Sequence, residues 1–135
     1  MKKKYNVKLS PFYDVEFIAV WEIDFDFKNF SDSLKEANIK SVKDAILLMN
    51  DFWSDAPDKN DSFEEHLDYF LTHATLKIHQ IYQQPFICEP RSLTNLTKKL
   101  FNEEEGFCIG ECGIKLIEFI DEFELTQDDL WVSEK

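Results

Sequence analysis

At 135 residues, with 44% apolar residues and thirteen phenylalanines, the chain is long enough for one domain around an aromatic-rich core. It is too apolar for disorder despite a net charge of −12. The charge is uneven: residues 1–100 carry 13 Lys and Arg against 16 Asp and Glu, and residues 101–135 carry 2 against 11. An acidic field of this kind repels nucleic acid and anionic membranes and attracts basic protein surfaces.

No stretch approaches the apolar length of a membrane span. Met1-Lys2-Lys3-Lys4-Tyr5-Asn6 has no apolar run behind it and does not read as a secretory signal. Three cysteines are too few and too odd in number for a disulfide framework, and they fit a reducing compartment. A cytoplasmic protein is the expectation.

In chain order, Tyr5, Val7 and Leu9 alternate with polar residues as a short first strand, and Ser10-Pro11 marks a turn. Val15 to Phe27 is the strongest strand signal. Its odd positions hold Val15, Phe17, Ala19, Trp21, Ile23, Phe25 and Phe27; its even positions hold Glu16, Ile18, Val20, Glu22, Asp24 and Asp26. A period of two over thirteen residues gives one apolar face and one partly acidic face, and predicts an antiparallel return on the first strand as a long hairpin. Phe30 to Ala37 reads as a short helix capped by Ser31. Ser41 with Asp44 opens a second, where Val42, Ala45, Ile46, Met49 and Trp53 follow helical spacing with Leu48 and Phe52 beside them. That helix is expected to stop before Pro57.

Ser62 with Glu65 forms a capping box for a long helix to Gln83, with an apolar stripe of Phe63, Leu67, Phe70, Leu71, Ala74, Ile78 and Ile81. Pro85 and Pro90 bracket an irregular link. Ser92 caps a helix with Leu93, Leu96, Leu100 and Phe101 inward. Gly106 to Gly113 is a turn or loop, Ile114 to Leu125 a second long strand, and Thr126 to Trp131 a last helical turn. The expected fold is α+β: a small antiparallel sheet with its helices packed on one face. Trp21, Phe25 and Phe119 should face the Ser62–Gln83 helix. Glu16, Glu22, Asp24, Asp26, Glu118, Glu122 and Glu124 should occupy the opposite face.

Those carboxylates are the principal candidate site. No Lys or Arg lies between Val15 and Phe27 to balance them, and like charges crowded on a sheet oppose one another unless they meet a cationic partner. Asp24, Asp26, Glu118, Glu122 and Glu124 are therefore the expected contacts for a basic protein surface, with Trp131 as an aromatic anchor for Arg. Glu22, Asp24 and Asp26 could alternatively hold a divalent metal for phosphoryl transfer, but that chemistry needs a nearby Lys, Arg or His that the strand does not supply. Cys108 and Cys112 are spaced C-x3-C, with Cys88, His66, His73 and His79 as further ligands to weigh. Zinc knuckles favour C-x2-C. Free thiols and no cofactor are expected, with Cys88 and Cys108 packing as small apolar groups and the histidines at the helix edge. The glycine-rich run 106–113 lacks the following helix or Lys of a phosphate loop.

Met49 to Ala56 contains Asn-x-Phe-Trp-Ser, and Glu105-Gly106 and Gly113-Ile114 follow in order. This pattern resembles a small family of uncharacterised bacterial and prophage proteins. The family offers no activity to carry onto residues. The resemblance implies a phage or prophage context, in which small acidic proteins are often inhibitors of host defence. The expectation is an acidic binding protein, not an enzyme, that blocks a basic, nucleic-acid-binding surface of a host protein in the manner of anti-CRISPR or anti-restriction inhibitors. It would bind no nucleic acid itself and no membrane. A homodimer and a structural or regulatory oligomer remain open.

Overall fold

A computed structural model of the chain describes residues 1–9, 17–82, 92–121 and 130–134. The elements run β1 (Lys2–Leu9), β2 (Phe17–Asp24), α1 (Asp32–Glu36), α2 (Val42–Asn50), α3 (Phe63–Tyr82), α4 (Leu93–Glu103), β3 (Ile114–Asp121) and β4 (Leu130–Glu134). The strands form one antiparallel sheet in the order β3-β2-β1-β4, and the described helices form a single layer against one of its faces. This is the α+β architecture that the pattern of elements predicts.

Alternation along β2 sets the two faces. Ala19, Trp21 and Ile23 are fully buried beneath α3, and the Trp21 Nε1–H donates to Thr75 Oγ1 on that helix at 2.9 Å. Phe25 meets Phe63 edge-on at the start of α3, and Phe119 meets Tyr82 at its end. Leu67, Phe70, Leu71, Ala74, Ile78 and Ile81 line the buried side of α3. α2 and α4 flank it, with Ile46 and Met49 inward on one and Leu96, Leu100 and Phe101 inward on the other. The start signals act as the sequence suggests: Ser31, Ser41, Ser62 and Ser92 each accept a backbone N–H three residues on.

Two boundaries differ. β2 ends at Asp24, with Asp26 in the turn beyond it, and α2 ends at Asn50. Asn50 turns its amide onto the next helix, donating to the His66 carbonyl at 2.9 Å. The predicted last helical turn is corrected where the structure describes it, because Leu130 and Trp131 open β4, paired with β1 through Lys8↔Trp131 and Leu9↔Leu130. Thr126 to Asp129, Val15, Glu16, and the Pro85–Pro90 link lie outside the described residues.

A register shift between Val20 and Trp21 leaves Ile117 as an extra residue on β3. The outer margin of β3 is occupied by α4. Thr97 Oγ1 accepts the Leu116 backbone N–H at 3.1 Å and donates to the Leu93 carbonyl at 2.9 Å. Among the described residues no helix is long and apolar enough to cross a membrane.

Candidate functional site

The outer sheet face holds several of the predicted carboxylates, but not unbalanced. Antiparallel register places opposed residues on one face. Lys2 therefore stands opposite Asp24, and Lys4 and Lys115 stand on either side of Glu22. The Glu22 side chain is only 15% exposed, with Lys115 Nζ at 3.3 Å and Lys2 Nζ at 4.0 Å. The Met1 amino group lies between Asp24 and Asp26. Val20, opposite Asn6 and Glu118, is fully buried. The expectation of an uncompensated acidic face is thus corrected: β1 and β3 bring lysines that inspection of β2 alone cannot see.

The predicted contact residues are also spread out. Asp24 ends β2, and its Oδ1 accepts the Asp26 N–H at 3.1 Å, which closes the turn. Glu118 pairs with Val20, four residues away, about 13 Å along the strand. Trp131 pairs with Lys8, beside Ile18, about 20 Å from Asp24. Glu122 and Glu124 lie outside the described residues, as does the side chain of Trp131. Next to the Glu22 cluster, a cleft of about 570 Å³ runs over the margin of β3 beneath α4, lined by Lys2, Glu22, Lys115, Thr97, Lys98 and Phe101. Its charges are of both signs.

Among the described residues, a denser run of carboxylates lies on the helical side. Seven carboxylates and one lysine fall between Asp51 and Asp68, and four more, with no Lys or Arg among them, between Glu103 and Glu111. The fold joins these stretches. The α2–α3 loop runs back along α3: Trp53 packs on His73 and Phe107, Asp55 meets Tyr69, and Asp58 meets His66. Gly106 abuts Trp53 so closely that a Cβ there would come within 2.4 Å of its ring. Glu105 and Glu65 thereby mark the two ends of an acidic strip about 12 Å long, from the eight-residue rise between His73 and Glu65.

Hydrogen bonds hold the strip in place. Tyr69 Oη donates to Asp55 Oδ1 at 2.5 Å, which lowers the Asp55 pKa; burial, and then Asp55 itself, push the Tyr69 phenol up. His66 is buried, with Nδ1 at 3.3 Å from the Asn50 amide nitrogen and Nε2 at 2.9 Å from the Asp58 carbonyl. An amide NH₂ only donates, so Nδ1 accepts and the proton sits on Nε2. Burial pushes the Asp68 pKa up, and neighbouring Glu64 adds to it.

The histidine and cysteine expectations need correction as well. His66 and His79 are buried rather than at the helix edge, and Cys108 is exposed while Cys112 packs inside. Burial pushes the Cys112 thiol up to about 12. Cys88 lies outside the described residues. Among those residues, no three His, Cys, Asp or Glu side chains converge to hold an ion. Sequence reading passed over Asp55 and Tyr69, whose only local signal is a run of acids at irregular spacing. No protein-family model, curated protein or solved structure matches the chain.

Proposed function

We propose that this protein acts by binding, as an acidic inhibitor of phage or prophage type that occupies a basic, nucleic-acid-binding surface of a host protein. The observation that carries the reading is the acidic strip from Glu105 to Glu65, where carboxylates outnumber bases seven to one over residues 51–68. Arg and Lys side chains that otherwise hold phosphates would meet carboxylates fixed on a rigid helix–loop frame. Competition follows from shared occupancy, and long-range attraction speeds encounter. The outer sheet face, with Asp24, Asp26 and Glu118, adds to the overall field but supports a direct contact less well, since Glu22, Asp24 and Asp26 already have cationic neighbours.

The test is displacement. The protein is titrated into DNA complexes of an RNA-guided nuclease and of a restriction endonuclease, at low and at high salt. Release of DNA from one of them, weaker at high salt and weakened about tenfold by combined Glu65→Lys and Glu105→Lys, is the expected result. Release that ignores both salt and charge reversal, or no release from either class, overturns the reading.

A further inference from the structure

Three large apolar side chains are turned to solvent within one short stretch. Leu47 and Leu48 are each 40% exposed and Phe52 is 52% exposed; among the described residues only Met1 is a comparably exposed large apolar group. α2 already buries one stripe, Val42, Ala45, Ile46 and Met49. Leu48 and Phe52, four residues apart, line one exposed flank of the same helix and the turn after it, and Leu47 stands about 100° around the helix from Leu48. A surface helix normally shows solvent a polar face, so large apolar side chains turned out beside Asp44 and Asp51 mark a contact.

Phe52 is held in place. Its ring stands edge-on to Trp53 with centroids 4.8 Å apart, and both rings rest on Gly106, where a Cβ would come within 3.0 Å of Phe52. The rim around Leu48 and Phe52 is acidic. Asp44 and Asp51 lie on and just beyond α2, one on each side of Leu48, and Glu104 and Glu105 precede Gly106. Lys43, on the same helix, reaches away over the Phe63 ring, 4.9 Å from its centroid.

We infer, building on the binding reading above, that Leu47, Leu48 and Phe52 anchor an amphipathic helix of the partner protein, one that carries apolar residues on one face and Lys or Arg along its margins. Leu48 and Phe52, four residues apart, make a ridge of the kind that fits between the side-chain rows of another helix. The acidic rim selects the basic margins. It also opposes a second copy of this chain, whose rim would set carboxylate against carboxylate.

The probe is a synthetic amphipathic helix of Leu and Lys. Its controls are a peptide of the same composition with the leucines scattered around the helix and an amphipathic Leu/Glu helix. Binding is read by peptide anisotropy and by the methyl resonances of Leu47 and Leu48, for the wild type and for the combined variant Leu48→Gln, Phe52→Gln, whose folding is checked by far-ultraviolet circular dichroism at the binding temperature. The expected result is binding of the Leu/Lys amphipath with shifts at both leucines, weakened at least about tenfold in the variant. Equal binding of the scattered peptide, with no effect of the variant, removes the apolar anchor while leaving the acidic inhibitor intact. Binding of the Leu/Glu helix as tight as that of the Leu/Lys helix removes the basic partner, and the reading beneath it. Sedimentation showing a wild-type dimer that the variant abolishes makes a second copy the occupant, and overturns the inference too.

Discussion

His73 lies between the rings of Tyr69 and Trp53, stacked on the first at 4.1 Å, with its Nε2 buried and unpartnered. A charged imidazole here would forgo hydration, so burial lowers its pKa below the ordinary 6.5, although Asp55 pulls in the other direction. The unfolded chain therefore binds the proton first as the pH falls. Stability from this residue is full above pH 6.5 and is lost as the pH drops from there through the lowered folded value. Unfolding by urea at about pH 7 and about pH 5 should show a steeper loss in the wild type than in His73→Phe, which keeps a ring in the stack. Equal slopes would mean that the ring titrates as it does in water.

At the scale of elements, Thr97 links α4 to the margin of β3. Thr97→Val keeps the shape and removes the acceptor, leaving the Leu116 N–H unpaired at a loss of about 1–3 kcal/mol, while Thr97→Ser should retain most of the stability. A valine variant as stable as the wild type by urea titration would show that water reaches that N–H. Elements with strong local signals were legible in the sequence. β2 announces itself by alternation, α3 by its stripe and its Ser62 cap. What pairing decides was not legible. The Thr126 and Asp129 pair reads as a helix start and carries that expectation onto Leu130 and Trp131, whereas those two form strand because β1, more than 120 residues earlier in the chain, offers them a partner. The Lys2–Lys4 run shows no partner in the sequence until register sets Lys2 and Lys4 against Asp24 and Glu22. Helical spacing finds the buried stripe of α2 and sets Leu48 and Phe52 beside it, but cannot say that these two are left uncovered. The carboxylates of β2 were legible as residues, but their neighbours were not. The acidic strip needed the loop to fold back along α3 before the acids of residues 51–68 and those of residues 103–111 could meet at Trp53.

For the whole molecule, a net charge of −12 on one small domain means self-repulsion that ions can screen. The melting midpoint should rise with added sodium chloride, and the rise should shrink in the Glu65→Lys, Glu105→Lys protein; thermal unfolding followed by circular dichroism would check both. A midpoint indifferent to salt would show that local pairs such as Lys115 with Glu22 already neutralise the field. Assembly is constrained by a different property. Sheets of separate molecules can fuse by strand pairing only through unpaired margins, and here α4 stands across the margin of β3 at Leu116. In the language of polymer chemistry, the two ends of the folded unit differ in reactivity: among the described residues, addition at β4 meets no such obstacle, whereas addition at β3 must first displace Thr97 from the Leu116 N–H, so chain growth through the sheet is slowed at one of its two ends.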